Sequence, residues 1–431
     1  MATTPVWAWL PDMDEPVRAG DLINETGRAR FVYSPQFLQR PDAIPLDPVE
    51  LRLNRSSRGI TLLGSDGLPG VLRDAKPAGY GEDRLKAQHG DGIGPLELLE
   101  LGVPDGVGAL EACLDLDRKL SWRPKRLHDL EVLTRQLEAH EPSSHALRRL
   151  NDDLDTSAGG DRPKATLEHE GRLWLVKMQA RSDRAALPAR EFVTMVQARR
   201  VGINAAPVRL HTFGAHQVLM VERFDRAGDP DKPRRKLYAS AHTALRLRLD
   251  AVRGDPERSY LNLADKLRTW VRMGPACMQA RVADELAELW RRIAFNALVG
   301  NTDDHHLNTG LLCSGIAEGR PIWGLSPAFD ITPNASTAHP EGPSLAMATG
   351  VDGLSGTSLP RLLDAAVRMG LDRDSARTWL ANSAAIVMEN WERQLRDAVA
   401  PLLADPESTN RLVASTRPSF AYAEQLARQL R

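Results

Sequence analysis

Asn301-Thr302-Asp303-Asp304-His305-His306-Leu307-Asn308, with an aspartate beyond a hairpin at Asp330, has the residue types and spacing that phosphoryl transfer needs. One carboxylate orients a hydroxyl, while an amide and a second carboxylate hold Mg²⁺ on the nucleotide phosphates. On this reading Asp303 takes the proton of a serine or threonine hydroxyl, Asn308 and Asp330 hold the metal, and His305 steadies the loop by packing and hydrogen bonding. Upstream, Lys177 ends a strand pattern and Glu191 follows in a helical one. That order suits a lysine on the α/β phosphates, held in place by a helical glutamate. Before them lies Ser157-Ala158-Gly159-Gly160-Asp161-Arg162-Pro163-Lys164-Ala165. Its adjacent glycines, Gly159 and Gly160, allow the backbone close to phosphate oxygens, and Lys164 adds a positive charge.

The same residues admit two other readings. Asp303, Asp304, His305 and His306 are all possible metal ligands, as in a hydrolase. Consecutive residues point in different directions, however, and the chain has no HExxH pair to complete such a site. A polar loop without catalysis explains the aspartates but not Asn308 and Asp330 at kinase-like separations.

These side chains require elements to aim them. Val282, Leu286, Leu289, Ile293 and Ala297 recur at three and four residues, predicting a helix from Arg281 that delivers Gly300-Asn301 to the loop. Thr309–Cys313 and Pro321–Leu325 read as strands around a turn at Ser314–Arg320, with Asp330 just beyond. Ala165–Leu167 and Leu173–Lys177 form a hairpin around Glu170-Gly171. Glu191, Met195 and Ala198 share a helix that Gly202 ends. Val208–His211 and Gln217–Val221 make a further strand pair, and Glu222-Arg223-Phe224-Asp225-Arg226 falls where a two-lobed kinase has its hinge. Backbone groups there, at Glu222, Arg223 and Phe224, are placed to meet the adenine edge.

At the N-terminal end, Val6–Leu10 and Arg30–Tyr33 carry strand-forming residues, and Gly64–Tyr80 reads as turns leading into a short helix. Pro124–Leu150 turns helical, with Leu127, Leu130, Leu133 and Leu137 on a recurring face and a break at Glu141-Pro142. Ile331–Gly356 has no period and the length of an activation segment. Helices then start at Ser358, run from Asp372 to Ala400 with Trp379, Ile386 and Trp391 inward, and close the chain from Ser419 to Leu430.

Charged residues are 26% of the chain and the net charge is −1, so the sequence has no electrostatic footprint for nucleic acid. Cys113, Cys277 and Cys313 are isolated, which argues against a disulfide framework or thiolate zinc site and suits a reducing compartment. With no apolar run of membrane-spanning length and no signal-peptide pattern, a soluble, cytoplasmic protein is expected.

Taken together the motifs resemble the HipA family of bacterial serine/threonine kinase toxins. Asn301–Asn308 is similar to the family's catalytic loop, Ala328-Phe329-Asp330 to its metal-binding element, Gly159–Ala165 to its glycine-rich loop and Val221–Arg226 to its hinge. Phe31-Val32-Tyr33 and Leu68-Pro69-Gly70 resemble parts of its small N-terminal module. The resemblance implies an α+β, two-lobed protein-kinase-like fold with a small β-rich N-terminal module and a mostly helical C-terminal lobe. The units expected are a module over 1–120, a small lobe with connecting helices over 121–226, and a large lobe over 227–431. It also implies ATP and Mg²⁺ as cofactors and a bacterial protein as substrate, typically a translation component such as an aminoacyl-tRNA synthetase, with growth arrest as the result. A DNA-binding antitoxin would restrain the kinase, so that DNA is touched only through that partner and no membrane is involved. The family's autophosphorylated serine matches Ser157. One position departs: the family usually has lysine where this chain has Leu307. A small-molecule kinase and a catalytically weak interaction module are the alternatives.

Overall fold

Alternate residues Thr4, Val6 and Ala8 are buried, as are Phe31 and Tyr33, the period of two expected when one face of a sheet is covered. In the computed structural model, which describes all residues except 1, 26–27, 63, 65, 130, 132–155, 160–163, 179–184, 214–215 and 431, they belong to an N-terminal five-stranded antiparallel sheet. Its spatial order is Ile60–Thr61, Arg28–Tyr33, Val17–Glu25, Ala2–Ala8 and Leu110–Ala112. Short helices at Gly70–Ala75, Tyr80–His89, Pro95–Leu101 and Leu116–Ser121 accompany this sheet.

A second five-stranded sheet runs Lys125–Arg126, Lys164–His169, Arg172–Lys177, His216–Glu222 and Val208–Phe213. Its central hairpin turns at Glu170 (φ 52°) and Gly171 (φ 71°), the left-handed pair that a two-residue turn between twisted strands demands. One face carries Leu219 and Val221 into the main core with the helix Leu187–Arg200. Val176, Val218 and Met220 join Leu127, Ala165, Leu167, Trp174 and Met178 in a separate small core. The helical expectation for Pro124–Leu150 is corrected at its start, because Lys125 and Arg126 pair in parallel with Leu167 and Glu168. Leu133, Leu137, Leu147, Leu150 and the break at Glu141-Pro142 lie outside the described residues, as does Leu130.

The rest is helical around one three-stranded sheet, ordered Tyr238–Ser240, Gly310–Ala317, Arg320–Leu325. The helix Arg281–Leu298 buries Leu286, Leu289, Trp290, Ile293 and Ala297, following its sequence period. Trp270 meets Trp323 edge-on at 4.8 Å, and Trp290 Nε1 donates to Leu362 O at 2.8 Å. Arg373–Val399 is the longest helix described, and Asp372 caps it by accepting from Ser375 N. Trp391 stacks on Phe420 at 4.5 Å, fastening the last helices, Pro406–Thr416 and Ala421–Gln429, onto the lobe. Such aromatic pairs add about 1 kcal/mol beyond the area they bury. Among the described residues no helix is long and apolar enough to cross a membrane.

Candidate active site

Antiparallel register places Lys177 opposite Lys164 on one side and Leu219 on the other. Its Nζ lies 2.6 Å from Glu191 Oε1 and 2.7 Å from Asp330 Oδ1. Three residues far apart in sequence thus form one cluster, a single cation between two carboxylates. Burial alone would strip the proton from Lys177, but Asp330 and Glu191 outweigh it and hold the amine above its ordinary range. Burial likewise pushes Asp330 up, yet Lys177 wins, with smaller help from Lys164 and His305, and holds its carboxyl down to about 2. For Glu191 burial prevails and the carboxyl is raised, with Asp330 adding repulsion against the pull of Lys177.

The backbone fixes this cluster from two directions. Asp330 is left-handed at φ 58°, a conformation that costs a residue with a Cβ about 1–2 kcal/mol and here turns the carboxylate toward Lys177. The segment before it is tied to the end of the glutamate helix, with Ala328 N donating to Asn204 O at 2.8 Å and Ala206 N to Ala328 O at 2.9 Å. After it, the Thr194 hydroxyl donates to Ile331 O. Glu191 and Asp330 therefore sit on segments that share hydrogen bonds.

Gly300, at φ 63°, follows the helix Arg281–Leu298 and leads into Asn301–Asn308. A Cβ there would stand 2.6 Å from Ser419 O, so both conformation and space require glycine. Asp303 itself is exposed. Its carbonyl accepts from His305 N at 2.8 Å and from Asn308 Nδ2 at 3.0 Å, which leaves the Asn308 amide oxygen outside that bond. His305 Nδ1 accepts from Leu307 N at 3.2 Å. Asp303 and Asn308 are joined in this way.

The neighbours of Asp303 turn elsewhere. Asp304 is buried and accepts from the Tyr260 hydroxyl and Asn296 Nδ2, and Asn301 Nδ2 donates to Asn296 Oδ1 at 3.0 Å. His306 faces His242 with ring centroids 5.1 Å apart; burial and nearby Arg258 push it down to about 3, so its ring is neutral. Among the described residues no three His, Cys, Asp or Glu side chains converge as a metal group, and Asp303–His306 point in different directions, unlike a hydrolase's ligands. The buried network of Tyr260, Asn296, Asn301 and Asp304 escapes sequence reasoning, except that a polar Asn296 on an otherwise apolar helix face is a hint.

Burial raises the Asp304 carboxyl to about 6, against the opposing pull of hydrogen bonds from Tyr260 and Asn296. An unfolded aspartic acid titrates near 4, so folding favours the protonated group. That stabilisation is complete below about pH 4 and is lost as pH rises through about 6, a change of about 3 kcal/mol. Asp304→Asn keeps an oxygen for both donors and removes the titration. Chemical denaturation is expected to show the decline between about pH 4 and 7 in the natural protein and not in the variant; identical profiles would rule the assignment out.

The glycine-rich loop and hinge are positioned less simply. Lys164 Nζ donates to Gly159 O at 2.6 Å; Gly160 lies outside the described residues. Ser157 is buried, its hydroxyl donating to Val103 O at 2.5 Å. Glu222 accepts from Arg172 Nη1 at 2.7 Å. The Arg223 guanidinium pairs with Asp225 at 2.8 Å and donates to the carbonyls of Asp105 and Gly106. The Phe224 ring lies 5.5 Å from Phe329 and 6.1 Å from Tyr238. Glu222 and Arg223 thus have side chains engaged elsewhere, and Phe224 packs on Phe329, next to Asp330.

The HipA-like C-terminal domain family matches residues 156–391, a span that holds Lys177, Glu191, the loop at Asp303–Asn308 and Asp330. Among solved structures the chain is similar to HipA of Shewanella oneidensis MR-1, determined in a toxin–antitoxin complex with HipB and operator DNA. The TM-score is 0.65 at 19% identity, covering 98% of this chain and 97% of that one. The Helicobacter pylori proinflammatory kinase CtkA is a more distant likeness, with a TM-score of 0.36 at 15% identity over 62% of this chain and 93% of that one. No curated protein sequence matches. The fold is α+β and kinase-like, with a β-rich N-terminal part and a helical C-terminal part.

Proposed function

Because the chain belongs to the HipA family, whose C-terminal domain spans more than half of it, we propose that it is an ATP- and Mg²⁺-dependent serine/threonine protein kinase. The observation that carries this reading is Lys177 held between Glu191 and Asp330 at 2.6 and 2.7 Å, the pairing a kinase needs in place before transfer. The residues present suit the nucleotide and its metal. Asn308 offers an amide oxygen and Asp330 a carboxylate, hard donors of the kind Mg²⁺ takes when phosphate oxygens and water complete its shell.

Asn308 and Asp330 would hold Mg²⁺, which would supply neutralising charge at the phosphates of ATP, the phosphoryl donor. Lys177 orients the α/β phosphates, kept charged and aimed by Glu191. Lys164 and the backbone at Gly159 would meet the phosphates. Glu222 N and Arg223 N already donate to Pro207 O and Leu173 O, so adenine would be met by the remaining backbone groups of Glu222–Phe224. Asp303 accepts the proton of the attacking hydroxyl, while His305 braces the loop. Leu307, exposed where the family usually carries lysine, removes one cation from this surface and bears on rate or substrate choice.

The substrate in this reading is a bacterial protein such as a translation component, with growth arrest as the consequence, and the site of action is the cytoplasm. The solved relative was determined with its antitoxin and operator DNA, which supports a DNA-binding antitoxin here. With a net charge of −1, this chain reaches DNA through that partner. Ser157 is proposed as the regulatory autophosphorylation site. Its hydroxyl is packed against Val103 O with no room for a phosphate, so modification requires the loop to leave that position.

Incubating the full chain with γ-labelled ATP, Mg²⁺ and bacterial lysate tests this reading. Labelled serine or threonine is expected in a lysate protein and at Ser157 of the chain itself, with loss of all label on chelation. Nucleotide binding without protein labelling would show a non-catalytic interaction module, and label confined to small molecules would show a small-molecule kinase.

A further inference from the structure

The entrance to the glycine-rich loop is held by the N-terminal unit. Asp105, 1% exposed, accepts from Ser157 N on Oδ1 at 2.5 Å and from the Thr156 hydroxyl on Oδ2 at 3.0 Å. The same Thr156 oxygen accepts from Ala158 N at 3.0 Å, so one carboxylate sets three consecutive residues just before Gly159. On its other side the Asp105 carbonyl accepts from Arg223 Nη1 at 2.7 Å. That guanidinium also donates to the Thr166 hydroxyl at 3.0 Å, on the strand that leaves the loop.

The adjoining residues are gripped as firmly. Arg226 donates to Gly106 O at 2.6 Å and Gly108 O at 2.7 Å, and Gly108 N donates to Asp225 Oδ2 at 2.8 Å. A Cβ on Gly106 would come within 2.3 Å of Ala75 O, so this stretch also sits directly on the helix Gly70–Ala75. Asp105, Gly106 and Gly108 are thereby tied to Thr156 and Ser157, and to Arg223, Asp225 and Arg226. Two carboxylate oxygens facing two donors is an arrangement that a fixed loop position needs and a passive surface contact does not.

We propose that Asp105 is a positioning residue for nucleotide binding: it holds Thr156 and Ser157 at a set distance from Arg223, so that the segment carrying Asp105 fixes residues 156–159, which lead into the glycine-rich motif. This rests on the kinase reading above. A partner that displaces the unit from the hinge moves the loop with it, changing nucleotide affinity without touching the reacting groups.

The test is a double-mutant cycle in the full chain with Asp105→Asn and Thr156→Val, reading the Kd of a fluorescent ATP analogue with Mg²⁺, KM for ATP, kcat and amide hydrogen exchange. Asp105→Asn turns an acceptor into a donor, and its Kd and KM are expected to rise about tenfold with kcat at saturating ATP within about twofold. Thr156→Val removes only the hydroxyl and gives a smaller rise, and the pair is non-additive. Exchange is expected to quicken at residues 156–159 and to stay slow in Leu110–Ala112; quickening in both would mark a merely structural role and overturn the proposal. Unchanged affinity in folded Thr156→Val, with additive behaviour, also overturns it. Failure of the natural protein to bind nucleotide at all sinks the kinase reading itself.

Discussion

Asp303→Asn is expected to lower phosphoryl transfer by about 10²- to 10⁴-fold while nucleotide affinity stays within about twofold of the natural protein. The reasoning is geometric. Asp303 is exposed at the loop's outer side, and the contacts that shape the loop use its carbonyl, which His305 N and Asn308 Nδ2 share. Asparagine preserves that carbonyl and the side-chain volume, and loses only the carboxylate that receives a hydroxyl proton. Single-turnover labelling separates the effects, since kcat falls with no matching change in Kd. Transfer at an undiminished rate would remove Asp303 from the chemistry.

Lys177→Ala carries the second large effect, on both stability and binding. The side chain is the shared cation of Glu191 and Asp330, and its loss leaves two carboxylates facing each other in a buried site. Breaking a fully buried ion pair from one side costs about 3–5 kcal/mol; with the Asp330 side chain 36% exposed, screening by solvent lowers this to about 1–3 kcal/mol, to be read as a lower denaturation midpoint. Nucleotide affinity falls as well, for want of the phosphate contact. Lys177→Arg keeps the charge, recovering most of the stability and little of the binding, because a planar fork cannot take the place of a compact ammonium. If the alanine variant unfolds at the natural midpoint, the cluster is not the mutual support described here.

Local features of the site were legible in the sequence. Glu170-Gly171 announces the hairpin that ends in Lys177, and the three-four spacing of Leu286, Leu289 and Ile293 announces the helix feeding the catalytic loop. Their information lies within a few residues, and the structure follows it. Lys125 and Arg126 sit in a stretch with helical spacing, yet form a strand because a partner at Leu167 and Glu168 decides the matter. Asp304 reads as one of four equivalent polar residues until Tyr260, 44 positions away, takes it out of solvent. Asp105 gives no local sign, since its side chain meets Thr156 and Ser157 at separations of 51 and 52 and its carbonyl meets Arg223 at 118. Arg223 is similar: its place after the strand His216–Glu222 is legible, but its bonds to the carbonyls of Asp105 and Gly106 depend on a segment that no pattern near residue 223 reveals.

The arginines behind the hinge separate what is inherited as a recognisable segment from what folds as one. The family match opens at residue 156 and closes at 391, yet Arg235 pairs at 2.9 Å with Glu111 and Arg226 leans on carbonyls of Gly106 and Gly108, all before that opening. Past the closing edge, Ser415 accepts from Arg190 at 2.8 Å and Phe420 covers Trp391. A fragment cut at the family's borders would carry buried guanidinium groups stripped of part of their acceptors, Arg226 keeping Asp225 but losing Gly106 and Gly108, and an aromatic face without its lid. The borders mark where sequence stays recognisable, and the smallest unit able to stand by itself is wider on both sides.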